Sequence, residues 1–108
     1  MANLSDVAAL RARLEPHGYH VFLQPDRPSG WLVIVQGGKD HGRDPITSRA
    51  ATRAEALQVA DRLFMNHRLT ELDTAIRQRG LIPPVWDGTQ QGHLDAMAAF
   101  ARANGVAA

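Results

Sequence analysis

The stretch YHVFLQPDRPSGWLVIVQGG, residues 19–38, constrains the fold more than any other part of the chain. Two runs rich in aromatic and β-branched residues, Tyr19 to Gln24 and Trp31 to Gln36, flank Pro25-Asp26-Arg27-Pro28-Ser29-Gly30, a loop signal. The spacing predicts an antiparallel hairpin whose loop is longer than the two-residue type. Its second strand is apolar on both faces, Trp31, Val33 and Val35 alternating with Leu32 and Ile34. Such a strand is expected at the centre of a sheet, covered on both sides. The N-terminal helix, the C-terminal segment and a second copy of the chain are the candidates for the second cover.

Before the hairpin, Ser5 is a good N-cap, Asp6 suits a first helical turn, and Val7, Leu10 and Leu14 recur at helical spacing. Pro16 and Gly18 end that helix. After the hairpin, a third strand is expected from Ile46 to about Ala50. Thr52 to Glu55, TRAE, then reads as a capping box, and Leu57, Ala60, Leu63 and Phe64 give the next helix one buried face. This helix is expected to run from 53 to about 66 and to break near 66–69. There the apolar face rotates onto Leu69, Leu72 and Ile76, and TELD, Thr70 to Asp73, offers a new start that Gly80 would end. Pro83-Pro84 forces an extended segment with Val85 and Trp86 as anchors. A last helix over about 90–103 carries Leu94, Met97, Phe100 and Ala101, closed by Gly105, with GVAA frayed at the end.

The predicted fold is therefore α+β: a short N-terminal helix, a three-stranded antiparallel sheet packed by a capped helix, and a helical C-terminal half. At 108 residues it reads as one domain, with a helix-βββ-helix core over 1–66 and a helical extension over 67–108. A 44% hydrophobic and 21% charged composition belongs to a folded globular chain. Without cysteine there are no disulfides, thiolate nucleophiles or thiolate metal sites. WLVIV is far too short to span a membrane, and the N-terminus lacks the layout of a signal peptide, so a cytoplasmic location without a membrane partner is the default expectation. A net charge of +1 supplies no whole-molecule field toward nucleic acid.

The most polar stretch, GGKDHGRDPITSR (37–49), sets Lys39, Asp40, His41, Arg43 and Asp44 between glycines and a proline. It has neither the Gly-Lys-Ser/Thr of a phosphate loop nor a dinucleotide fingerprint. It reads first as a strand connection, second as a binding loop and only third as an active site. His17, His20 and His41, and likewise His93 with Asp87 and Asp95, lack the spacing of a zinc site. Ser29 and Ser48 lack a nucleophile context. No enzyme activity, metal or other cofactor is expected. Lys39, Arg43, Arg49, Arg53 and Arg62 gather on or near the third strand and second helix as a nucleic-acid surface, diluted by Asp40, Asp44, Glu55 and Asp61. The run from Glu55 to Gly80 invites a helix-turn-helix reading, which Phe64, Thr70 and Asp73 spoil. For a protein partner, the candidate contacts are Lys39, His41, Arg43 and Trp86. Trp86, between Pro-Pro and Asp-Gly, is less constrained than Trp31, which reads as a core residue.

YHVFLQPD, GWLVIVQ and ATRAEALQVA together resemble the N-terminal domain of HicB-type antitoxins over residues 19–60. The resemblance implies a three-stranded sheet packed by a helix, and a domain that binds and neutralises a small RNA-cleaving toxin. GGKDHGRDP stands where that family has a short proline-glycine connection. The C-terminal portion has no helix-turn-helix or ribbon-helix-helix, so the family's DNA-binding role does not carry over. The expectation is a small non-enzymatic binding protein, bacterial or phage-type, that occupies a macromolecular partner in the manner of an antitoxin or inhibitor. The alternative is a nucleic-acid-binding domain using the arginines. Self-association as a homodimer is compatible with either.

Overall fold

The structure, a computed structural model, describes residues 7–26, 28–37 and 45–106. Its elements are α1 (Val7–Leu14), a 3-10 turn (Glu15–His17), β1 (Tyr19–Pro25), β2 (Trp31–Gly37), β3 (Ile46–Ala50), α2 (Arg53–Gln78) and α3 (Gln90–Ala103). The chain divides into two compact units, Met1–Phe64 and Met65–Ala108. Ser5 and Asp6, the expected cap of α1, lie outside the described residues. No helix among the described residues is long and apolar enough to cross a membrane.

The N-terminal unit is built on one antiparallel sheet in the order β1-β2-β3. The register sets Val21 opposite Val35 and Leu23 opposite Val33, and on the other side of β2 sets Val33 opposite Ser48 and Trp31 opposite Ala50. Because side chains alternate along a strand, this register puts Tyr19, Val21, Val33, Val35 and Ala50 on one face, where all are buried. Leu10 and Leu14 of α1 and Ala56, Leu57, Ala60 and Phe64 of α2 are buried as well. Tyr19 meets Phe64 edge-on at 5.2 Å between ring centroids. Arg13 on α1 donates from Nε to Asp61 Oδ1 on α2 at 2.7 Å. Both helices thus stand on the same face of the sheet.

Within the N-terminal unit that arrangement gives β2 helical cover on one face only. On the second face Phe22 is 46% exposed, and Leu32 and Ile34 are only half-buried. The N-terminal helix, one candidate for the second cover, cannot supply it, because its Leu10–Leu14 stripe is spent beside α2. Trp31, expected in the core, is half-buried at the start of β2.

The expected break near 66–69 is also corrected: α2 is a single helix of 26 residues. Nothing between Arg53 and Gln78 is glycine or proline, so no residue forces a stop. The stripe continues through Phe64, Arg68, Leu72 and Ile76, each four residues on, and all four are buried. Arg68, 4% exposed, holds a position in this stripe where an apolar residue ordinarily stands. Its Nη1 lies 3.8 Å from Glu71 Oε1, one turn along the same helix. Thr70, read as the start of a new helix, instead donates its hydroxyl back to the Asn66 carbonyl at 3.1 Å, a mid-helix bond. At the true start, Thr52 Oγ1 accepts from the Glu55 N–H at 3.1 Å, the threonine half of a capping box.

In the C-terminal unit, Met65, Leu72, Ile76, Leu94, Met97, Ala101 and Val106 are buried. Gln90 Nε2 on α3 donates to Asn66 Oδ1 on α2 at 2.6 Å. The end of α3 corrects the expected fraying at Val106. Gly105, at φ 72°, lets its N–H reach the Arg102 carbonyl at 3.3 Å and the Val106 N–H reach the Ala101 carbonyl at 2.8 Å. These are the paired bonds of a Schellman motif, which turns Val106 back onto the unit. The last two residues lie outside the described residues.

Candidate functional site

Of the residues expected to meet a protein partner, Lys39, His41 and Arg43 lie outside the described residues, and Trp86 is described. Its surroundings begin with Pro83-Pro84, which cannot be helical and run extended between α2 and α3. Pro83 is buried and Pro84 half-buried, so the segment is anchored at its start. Beyond that anchor Val85 is 95% exposed and Trp86 45%, with Ile82 81% exposed just before. Three large apolar side chains are therefore presented to solvent within five residues.

Trp86 is nonetheless held in place. Its indole Nε1 donates to the Thr89 carbonyl at 3.0 Å. Thr89 is the N-cap of α3, its hydroxyl accepting from the Gly92 N–H at 3.0 Å. The ring lies close over Gly88 and Gly92: a Cβ would come within 2.8 Å of Nε1 at the first and 2.7 Å of Cζ2 at the second. The tryptophan that sequence reading takes as the less constrained one is seated on two glycines and a capped helix start. The signal was present in WDGTQQG, where glycines stand two and six residues after the tryptophan, but only the fold shows that the ring needs both.

Beside this ledge is a groove of about 480 Å³ lined by residues of α2, the proline segment and α3. Leu69, Pro83 and Met97 give it an apolar floor, and Trp86 and Val85 form one lip. On the α2 wall, Arg77 Nε donates to Asp73 Oδ2 at 3.0 Å, a pair at helical spacing. Thr70 and His93 complete the polar lining. No family model, curated protein or solved structure matches this chain. Geometry and residue chemistry are accordingly the ground for any functional reading.

Of the residues expected to form a nucleic-acid surface, the described Arg49 and Arg62 lie on different faces. Lys39 and Arg43 lie outside the described residues. Arg49 points outward on β3 and pairs through Nη1 with Asp26 Oδ2 at 3.0 Å. Arg62 shares the solvent side of α2 with Glu55 and Gln58, all three exposed, while α2 packs on the opposite face of the sheet from Arg49. Arg53 is exposed at the first turn of α2. Among the described residues no three His, Asp or Glu side chains converge as a metal-holding group. Asp95 instead accepts from Gln91 Nε2 at 2.9 Å along α3.

Proposed function

We propose that this chain is a non-enzymatic binding protein that occupies a protein partner in the manner of an antitoxin or inhibitor. In this reading an extended segment of the partner seats along the Trp86 ledge and its groove. The observation that carries it is an aromatic ring half exposed to solvent yet fixed by a hydrogen bond and two close glycines. An anchor already held in one orientation costs little ordering on binding, and tryptophans in such positions dominate interface energetics. The groove volume suits a few side chains rather than a whole helix. Its charged wall pairs Asp73 with Arg77, so it offers a phosphate chain no net positive field, whereas a peptide's mixed donors and acceptors match both signs. The resemblance of residues 19–60 to HicB-type antitoxins supports the inhibitor class. The ledge lies outside that stretch and is this chain's own contribution.

The test is capture of the partner by the tagged full chain from nuclease-treated host lysate, followed by titration of the purified pair. Trp86→Ala is expected to weaken the complex about tenfold or more, mostly by faster dissociation. Its thermal melt should stay close to that of the parent, because the ring is half exposed. A variant that binds within twofold of the parent removes the ledge from the interface. Recovery of no nuclease-resistant partner removes the inhibitor reading itself.

A further inference from the structure

Aspartate or asparagine followed by glycine is open to one spontaneous reaction. The next backbone nitrogen attacks the side-chain carbonyl carbon and closes a five-membered succinimide. Glycine, with no Cβ, leaves that nitrogen unshielded. The chain holds two such pairs, Asp87-Gly88 and Asn104-Gly105, both in the C-terminal unit. In an unfolded chain the asparagine pair reacts faster, because a carboxylate is a poorer electrophile than a carboxamide. The fold treats the two in the opposite sense.

Asn104 is locked at the end of α3. Its Nδ2 donates to the Phe100 carbonyl at 2.8 Å, and its backbone N–H to the same carbonyl at 3.1 Å. The Gly105 N–H, which would have to attack, donates to the Arg102 carbonyl at 3.3 Å, and Val106 beyond it is buried. Ring closure there waits on opening of the Schellman turn. Asp87 and Gly88, by contrast, are both exposed and lie outside any helix or strand. Among the described residues nothing accepts the Gly88 N–H.

We propose that Asp87-Gly88 is a self-modification site, where the folded chain rearranges to an isoaspartyl linkage that unseats Trp86. The Gly88 nitrogen bonds to Asp87 Cγ, and the N–H proton and the carboxyl hydroxyl leave as water. Water then adds to the Asp87 backbone carbonyl carbon and breaks its bond to the Gly88 nitrogen. The chain now runs through Cβ and Cγ, and the former backbone carbonyl becomes a free carboxylate. Water released equals water consumed, and nothing is oxidised or reduced. The main chain gains one carbon between Trp86 and Thr89. That span has no slack: Trp86 Nε1 is held to the Thr89 carbonyl at 3.0 Å, and a carbon added on Gly88 would come within 2.8 Å of Nε1. The ring is released, while α3 keeps its start, because the Thr89 carbonyl also takes the His93 N–H at 2.9 Å. The reaction is independent of what the ledge binds.

The experiment ages the full chain for several weeks in neutral buffer at physiological temperature, folded in one arm and unfolded in guanidinium chloride in the other. Trypsin separates the two sites, since Arg102 stands between them, and electron-transfer fragmentation distinguishes isoaspartate from aspartate. In the folded arm isoaspartate is expected at position 87. Asn104 should react there at least about tenfold more slowly than in the unfolded arm, as a site that waits on local opening must. In the unfolded arm the order inverts and Asn104 reacts first. In Trp31→Phe, the emission of Trp86 is expected to shift to the red and to quench more with acrylamide as isoaspartate accumulates. Adding Asp87→Glu, whose longer side chain disfavours ring closure, should keep the emission constant over the same period. The proposal is overturned by a folded chain that stays unmodified at position 87, or by one that reacts faster at Asn104 than at Asp87. It is also overturned by isoaspartate that leaves the Trp86 emission unchanged.

Discussion

Phe64→Ala is expected to cost the N-terminal unit about 3–5 kcal/mol. For a domain of this size that corresponds to a drop in melting temperature of at least about 12 °C. Phe64 is 2% exposed, and three groups from outside its own helix close around its ring. Tyr19 stands edge-on at 5.2 Å, His17 lies at 5.7 Å with the rings tilted by 37°, and the Arg13 guanidinium sits 5.7 Å from the centroid. One side chain thus joins α1, the 3-10 turn and β1 to α2, and truncation opens a cavity that all of them line. Edge-to-face pairing and the cation over the ring add to the area term. Phe64→Leu, which keeps much of the volume, should cost distinctly less. Urea unfolding followed by far-UV circular dichroism measures both. A loss below about 1 kcal/mol in Phe64→Ala would show that this ring is not the centre of the unit.

Gly37→Ala should approach the same magnitude, about 3 kcal/mol or more, for a backbone reason. Gly37 closes β2 with φ at 114°, a conformation that L side chains rarely adopt. A Cβ there would fall on the Gly18 carbonyl oxygen, with the Gly18 carbonyl carbon at 3.2 Å and the Tyr19 Cα at 3.3 Å. None of these is a flexible side-chain end, so relief requires moving β1 against β2 where Tyr19 pairs with Gly37. Gly80 provides the comparison. Its φ is also positive, at 75°, yet a Cβ there meets nothing within 4 Å. Gly80→Ala should therefore cost only the left-handed penalty, about 1–2 kcal/mol. Equal losses in the two variants would mean that strain alone, and not the close approach of two chain segments, sets the requirement at Gly37.

These two positions also show where the sequence could be read and where it could not. The hairpin, β3, the start of α2 and the span of α3 follow from local rules, because strand alternation, capping residues and Pro/Gly punctuation each act within a few neighbours. The continuity of α2 does not follow. It depends on a buried arginine at a stripe position and on a threonine that bonds backward, and both look like a helix end when only polarity is read. The placement of both helices on one face of the sheet was likewise hidden. A strand apolar on both sides says that cover is favourable, but the side on which α1 and α2 stand is decided by how their own stripes meet Tyr19 and Phe64. For the candidate site, Trp86 was legible as an anchor from its Pro-Pro and Asp-Gly neighbours. Its fixed orientation was not, since that comes from two glycines and a carbonyl brought under the ring by the first turn of α3.

The two tryptophans fall one to each unit, Trp31 in Met1–Phe64 and Trp86 in Met65–Ala108. Each unit therefore carries its own optical label without any chemical modification. Trp31→Phe leaves emission that reports on the C-terminal unit alone, and Trp86→Phe leaves emission that reports on the N-terminal one. Quenching by acrylamide, followed through a denaturant series in both variants, would give each unit a separate unfolding curve from the same chain.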